Sequence, residues 1–202
     1  MMRTGLVRRF WEILLLGSAT LAQVGSPATT HDWPTLLLHA ARGQAQAQYE
    51  LGRRFDLGIG VAQSDQQALR YYRQAAARNL PVAQYRLGCK YWAGEGVTQD
   101  RVAGLAWFRL AAVQNHPLAQ NRLGRIFEFG QGVERDLVQA YTWYTRASRN
   151  PRNIYAMVNR NALAQRMPPE QIFEAEMLLA SMEELKFSPA TATATAELSG
   201  SN

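Results

Sequence analysis

Apolar residues recur at every fourth position in short stretches of this chain, and the whole pattern returns after 36 residues. In the first stretch Ala47, Leu51 and Phe55 fall on one side of a helix, which predicts an amphipathic helix. The same pattern starts again at Ala83 and at Ala119. A fixed period of this length is typical of stacked helical units that cannot bury their apolar faces alone. The sequence therefore predicts an all-α fold, a right-handed α/α superhelical solenoid of helix-turn-helix repeats.

Turn signals divide each unit into two helices. The motif Gly-x-Gly-Val ends the first helix, and glycine readily takes the left-handed conformation found after a helix C-terminus. The motif stands at 58–61, 94–97 and 130–133. Polar side chains that follow are predicted to cap the second helix: Ser64 with Asp65, Asp100, and Asp136. Each second helix then combines aromatic residues with alanines, so we expect large rings to face small residues in the core.

The repeat also sets the expected domain boundaries. Leu38 and Ala40 align with Leu110 and Ala112, two periods later, so half a unit precedes the first complete one. Residues after the third unit depart from the pattern, as expected where a solenoid covers its last apolar face. The expected segments are a signal peptide at 1–22, a linker at 23–32, a half repeat at 33–44, three repeats at 45–80, 81–116 and 117–150, a C-terminal helical cap at 151–187 and a disordered tail at 188–202.

The N-terminus has the composition of a secretory signal peptide. Three arginines before residue 10 precede an apolar run at 13–16, and the small residues Thr20 and Ala22 follow. Cleavage after Ala22 predicts a periplasmic or secreted protein without a transmembrane span in the mature chain. The alternative is an uncleaved amphipathic or membrane-anchoring start, although the apolar run is short for a membrane span. A cytoplasmic adaptor is the expectation if no cleavage occurs.

Charge narrows the range of partners. The net charge is +6, and Lys90 and Lys186 are the only lysines. The basic residues are not clustered in the stripe that nucleic-acid binding requires, so we expect no nucleic-acid partner. Many arginines stand near acidic residues, which favours a solvated surface. A negatively charged partner or membrane surface remains open.

Candidate chemistry is sparse. Cys89 is the single cysteine, so no intrachain disulfide can form. His31, His39 and His116 are not spaced as metal ligands, and we expect no metal and no cofactor. The glycine loops lack the further glycines and the Lys-Ser/Thr of a phosphate-binding loop. No nucleophile stands in a pattern that identifies a partner base, so we expect no enzymatic activity.

The recurring residues resemble the Sel-one-like repeat (SLR) family, which is related to the tetratricopeptide repeat and has bacterial exported members. The shared pattern is Ala-Gln-Tyr-x-Leu-Gly, Gly-x-Gly-Val, an acid, then Ala-x-x-Trp-Tyr with paired alanines, over about residues 33–150. Three positions depart from it. Asn121 replaces an aromatic residue, Gly104 replaces an alanine, and Ser64 stands at the acid position.

The resemblance implies a non-catalytic protein–protein interaction adaptor or scaffold of the bacterial envelope, which binds a partner protein or peptide on its concave face. One alternative is a structural subunit of an envelope machine, such as a flagellar motor or a secretion apparatus. Another is a β-lactam-interacting enzyme like the cysteine-rich relatives, although the chain lacks their paired cysteines.

Analogy with tetratricopeptide repeats also identifies candidate contact positions. The residue two before each Leu-Gly leucine, and the residues two and five after it, are expected to face the concave surface. We call these nine residues the predicted strip: Tyr49, Arg53, Asp56, Tyr85, Cys89, Trp92, Asn121, Arg125 and Glu128. Tyrosine, tryptophan and arginine are enriched in binding hot spots. The alternative is that several of these side chains pack between units, Tyr49 and Tyr85 first among them.

Overall fold

The structure, a computed structural model, describes residues 33–184 of the 202-residue chain. The predicted signal peptide, linker and tail therefore lie outside the described residues, as does the end of the predicted cap.

The described residues form nine α-helices and no strand. The helices are α1 (Trp33–Ala41), α2 (Ala45–Leu57), α3 (Asp65–Ala77), α4 (Pro81–Ala93), α5 (Arg101–Val113), α6 (Pro117–Phe129), α7 (Leu137–Ser148), α8 (Ile154–Ala164) and α9 (Pro169–Glu184). Helices α2 and α3, α4 and α5, and α6 and α7 pack as hairpins, and α3 on α4 and α5 on α6 join successive hairpins. The predicted all-α solenoid of helix-turn-helix units is confirmed. Within residues 33–184, no helix is both long enough and apolar enough to cross a membrane.

The helix ends follow the turn signals in the sequence. The first helices end at Gly58, Gly94 and Gly130, whose φ angles of 68°, 80° and 60° lie in the left-handed region. The second helices begin after a capping side chain. The Ser64 hydroxyl accepts from the Gln67 N–H at 3.3 Å, and the carboxylates of Asp100 and Asp136 each accept a backbone N–H at 2.9 Å. Each cap satisfies a donor that has no partner within its own helix.

Glycine in each Leu-Gly pair lets the two helices of a hairpin approach closely. A methyl group added to Gly88 would lie 2.7 Å from Cδ1 of Phe108, closer than two carbon atoms can pack. The same relation joins Gly52 to Tyr72 and Gly124 to Tyr144. The three rings are fully buried. The glycines therefore leave the space that the aromatic rings of the second helices fill.

A glutamine links each first helix to the helix before it. The side-chain amide of Gln84 donates to the Ala76 carbonyl oxygen at 3.4 Å, and that of Gln120 donates to Ala112 at 3.0 Å. Gln48 donates to Ala40 of α1 at 3.2 Å. All three glutamines are buried. The second residue of Ala-Gln-Tyr thus satisfies a buried carbonyl group at each junction.

The C-terminal helices do not repeat the hairpin arrangement. Both α8 and α9 pack on α7, and they contact α7 far more than each other. The Thr142 hydroxyl on α7 donates to the Ala175 carbonyl oxygen on α9 at 3.2 Å. The Asn153 amide, at the start of α8, donates to the Pro117 carbonyl oxygen at 3.2 Å. These two helices therefore lie over the last complete unit.

Candidate functional site

The nine residues of the predicted strip lie in three different environments. Arg125 is exposed, whereas Trp92 and Glu128 are buried, at 9% and 7% exposure. The half-buried members are Tyr49, Arg53, Asp56, Tyr85, Cys89 and Asn121. A buried side chain cannot contact a partner without rearrangement. The contacts of Trp92 and Glu128 are therefore with neighbouring residues of the same chain. Partner binding by the other residues stays a prediction.

The position five residues after the Leu-Gly leucine points toward the second helix of its own unit. Three pairs of residues share this geometry: Asp56 with Tyr72, Trp92 with Phe108, and Glu128 with Tyr144. The Tyr72 hydroxyl donates to Asp56 at 3.1 Å. Burial, with the neighbouring carboxylate, raises the pKa of Tyr72, so its hydroxyl stays protonated and donates. In the middle unit the rings of Trp92 and Phe108 lie 5.9 Å apart instead.

The sequence contains a signal for these pairs. An acid stands at this position only in the two units whose second helix has tyrosine sixteen residues later. The middle unit has phenylalanine there, which offers no hydroxyl group, and a tryptophan replaces the acid. The acid and the hydroxyl group therefore occur together or not at all in this chain.

An ion-pair network joins the first two units around a buried lysine. The ammonium group of Lys90 contacts carboxylates of Asp56, Asp65 and Glu95, the last two at 2.7 and 2.9 Å. Burial opposes the charge, but the hydrogen bonds that the ammonium group donates to the three carboxylates outweigh it and raise the pKa of Lys90. Ligand atoms of these three acids lie within 4.8 Å of one another, a spacing that could hold a metal ion. Lys90 already supplies a positive charge to them.

Other acids near the predicted strip are also neutralised within the chain. Glu50 accepts from Arg53 at 2.9 Å, and this hydrogen bond lowers the pKa of Glu50 despite partial burial. Glu128 is paired with Arg166, which follows α8. The acids on this side of the stack therefore contribute little uncompensated negative charge.

Three arginines on the first helices lack an acidic partner. Among the described residues, Arg86, Arg122 and Arg125 form no ion pair. The guanidinium group of Arg122 lies 5.4 Å from the ring centroid of Trp92, and its Nε is buried without a hydrogen-bond partner. Because the acids nearby are paired and these arginines are not, the surface is positively charged. We call the side formed by α2, α4 and α6 the first-helix face.

A groove lies between α6 and α8 on this face. Its volume is about 500 Å³. The lining residues are Asn121, Arg125, Glu128, Phe129, Tyr144, Tyr155, Asn159 and Ala162. The Asn159 amide donates to the Asn121 side-chain oxygen at 3.2 Å across it. The groove thus brings the third-unit members of the predicted strip together with residues of α8 that the repeat pattern does not reveal.

Cys89 does not have the environment of an activated nucleophile. Burial raises the pKa of its thiol, although Arg122 and Arg86 lie near enough to oppose the shift. A thiol with a raised pKa is mostly protonated at neutral pH and reacts poorly. The position therefore offers packing and a weak hydrogen-bonding group.

Comparisons with known proteins agree with the fold. The Sel1 repeat family model matches residues 45–80, 81–116 and 117–151. A Sel1 repeat protein from Oxalobacter formigenes is 40% identical, over 65% of this chain and 98% of that chain, with a TM-score of 0.60. A protective antigen present in uropathogenic Escherichia coli strains, which displays an SLR fold, is 29% identical with a TM-score of 0.58. That match covers 96% of this chain and 48% of the antigen, so the chain spans about half its length. No curated protein matches the chain.

Proposed function

Because the chain belongs to the Sel1 repeat family, we propose that it is a non-catalytic scaffold that holds an acidic segment of a partner protein on its first-helix face. Sel1 repeats generally mediate protein–protein interactions. The observation that carries the proposal is the group of arginines that no acid within residues 33–184 neutralises, beside a groove that is open to solvent.

The chemistry of Arg122 favours a carboxylate as the group that is bound. Arg122 forms no ion pair with an acid of residues 33–184, and a carboxylate can accept two parallel hydrogen bonds from a guanidinium group. The ring of Trp92 beneath Arg122 restricts the guanidinium group before binding, which reduces the entropy lost on association. Arg125 and Tyr155 extend the surface along the groove. An extended segment with two or more acidic residues fits this arrangement.

The test is recovery of the partner after crosslinking in cells. One variant combines Arg86→Gln, Arg122→Gln and Arg125→Gln, and its matched control replaces three exposed arginines on the second helices: Arg70→Gln, Arg101→Gln and Arg109→Gln. Both variants lose three charges, so overall charge cannot explain a difference between them. We expect the first variant to lose the partner and the control to keep it. Equal recovery by both, with unchanged circular dichroism and melting temperature, would reject the first-helix face as the binding site.

We further propose that the scaffold acts in the bacterial envelope. The support is the basic, apolar and small-residue order of residues 1–22, which is typical of an export signal. Sequencing of the mature N-terminus tests this proposal. A chain that begins at Gln23 supports export, and a chain that begins at Met1 or Met2 contradicts it.

Copurification without crosslinking, in buffers of increasing salt concentration, separates an adaptor from a structural subunit of an envelope machine. An adaptor is expected to yield one main partner, whose recovery falls as salt rises because the contacts are ionic. A structural subunit would instead remain in a large assembly of fixed stoichiometry in high salt.

A further inference from the structure

Helix α9 is apolar on two opposite sides. Ile172 and Met182 pack on the core, and Ala175 is buried against α7. On the other side Phe173 and Met177 are exposed by 65% and 58%. The residues that the structure describes therefore leave this second side of α9 uncovered.

Helix α8 presents a second apolar surface at the same end of the stack. Ile154, Met157 and Val158 are exposed there, while Tyr155 lines the groove on the first-helix face. The last unit of a solenoid normally has a polar outer face, which keeps the end soluble. The outer surfaces of α8 and α9 have the opposite character, and exposed apolar surface of this kind marks an interaction site.

Charge distinguishes the two helices. Residues 149–166 contain four arginines and no acid, whereas residues 169–184 contain five glutamates and no lysine or arginine. Arg152 and Arg160 beside α8 form no ion pair with a described residue, and neither do Glu170, Glu174 and Glu176 of α9. A basic apolar surface on α8 and an acidic apolar surface on α9 therefore both pack on α7. Arg149 pairs with Glu183 and Arg166 with Glu128, which leaves Arg152, Arg160 and these three glutamates without an ion pair among residues 33–184.

We propose that two copies of this chain associate through α8 and α9, with α8 of each copy on α9 of the other. A twofold interface requires one surface that is complementary to itself, and two surfaces of opposite charge that pack on the same helix satisfy this condition. The pairing covers Phe173 and Met177 with Ile154 and Val158, and places the unpaired glutamates opposite the unpaired arginines. The first-helix face is not needed for this contact, so the proposal does not depend on the proposed partner.

Charge reversal tests the pairing. Arg152→Glu makes the α8 surface more acidic, and Glu174→Arg makes the α9 surface more basic; both side chains are exposed. Light scattering and sedimentation of the purified full chain should show a dimer. Each single variant juxtaposes like charges and should raise the dissociation constant at least about tenfold. An equimolar mixture of the two variants should form mixed dimers. In a mixed dimer, one contact brings together the two reversed charges, which are again opposite, and the other contact keeps the wild-type pair.

The apolar part is tested by Phe173→Gln with Met177→Gln, which should give a monomer with unchanged circular dichroism. The control is Val102→Gln, which alters a still more exposed apolar residue of α5 and should leave the dimer intact. A monomeric wild-type chain over a wide range of concentrations would overturn the proposal. So would a dimer that tolerates the charge reversals, or a mixture of the reversed variants that stays monomeric.

Discussion

The Tyr144 hydroxyl donates a 2.7 Å hydrogen bond to the carboxylate of Glu128, on the other helix of the same hairpin. Arg166, which follows α8, contacts the same carboxylate. Glu128 is buried, and these two partners satisfy its carboxylate oxygens. The pair therefore holds α6 against α7 and connects the last complete unit to the C-terminal helices.

Removal of the Tyr144 hydroxyl should destabilise the protein. Hydrogen bonds to charged groups contribute about 1.5–3 kcal/mol, and we expect Tyr144→Phe to lower the free energy of unfolding by about 2 kcal/mol. Urea unfolding measures the change. Tyr155→Phe, at an exposed tyrosine, is the control and should change stability by less than about 0.5 kcal/mol. If Tyr144→Phe lowers the free energy of unfolding by the same amount in a Glu128→Gln background, the double-mutant cycle shows no coupling energy. The hydrogen bond between the two residues then does not stabilise the fold.

Substitution of Gly124 by alanine should destabilise the protein, although alanine favours a helix over glycine by about 1 kcal/mol. The added methyl group would lie 2.5 Å from Cδ1 of Tyr144, and overpacking of this kind costs about 1–3 kcal/mol. Gly104→Ala is a useful comparison. There the nearest atoms, Gly88 O and Trp92 N, would lie 3.1 Å away, so a smaller loss is expected. A higher melting temperature for Gly124→Ala would contradict the predicted contact.

Acid should weaken the fold through His116. Its Nδ1 accepts a hydrogen bond of 3.3 Å from the backbone N–H of Ala119, in the first turn of α6. Burial, together with nearby Arg86, lowers the pKa of His116 from 6.5 to about 4. The unfolded chain therefore binds more protons between these values, and stability falls as pH falls from about 6.5 to about 4, by at most about 1.4 kcal/mol per pH unit.

His116→Asn isolates this contribution, since asparagine can cap a helix but does not titrate. Urea unfolding at several pH values should give a shallower slope for the variant than for the wild type in this window. Carboxylates titrate in both proteins, so the difference between the two slopes reports His116. Identical slopes would show that His116 protonates equally well in the folded protein.

Loss of the Lys90 ammonium should leave three carboxylates facing one another. Removal of one partner from a buried ion pair costs about 3–5 kcal/mol, and because Asp65 and Glu95 are partly exposed we expect about 3 kcal/mol for Lys90→Met. Lys90→Arg keeps the charge and should lose less. A Lys90→Met variant as stable as the wild type at pH 7 would contradict this account.

The fold was predictable because its signals are local. A period of 36 residues, the glycine motif after each first helix and the capping residues before each second helix all lie in short sequence windows. The caps at Asp100 and Asp136 formed as the sequence predicts. Each of these features needs only its own segment to be recognised.

The side-chain environment in the predicted strip was harder to predict from the sequence. Analogy supplied a spacing, but whether a residue faces solvent depends on the ring sixteen residues later. Glu128 accepts a hydrogen bond from the Tyr144 hydroxyl, and Trp92 packs on Phe108. The absence of acidic partners for Arg122 likewise depends on which side chains three different helices bring together. Only tertiary structure specifies these neighbours.

The glutamine at each junction has a consequence for how such a chain can change in length. Gln48, Gln84 and Gln120 each bond to a carbonyl oxygen eight residues earlier, so every unit contains the donor that joins it to its predecessor. Duplication or deletion of one whole unit leaves each remaining donor opposite an acceptor. An insertion of any other size within a junction separates the amide from its carbonyl and leaves both buried without partners. Whole-unit duplication is therefore the route by which this stack can grow while each junction stays intact.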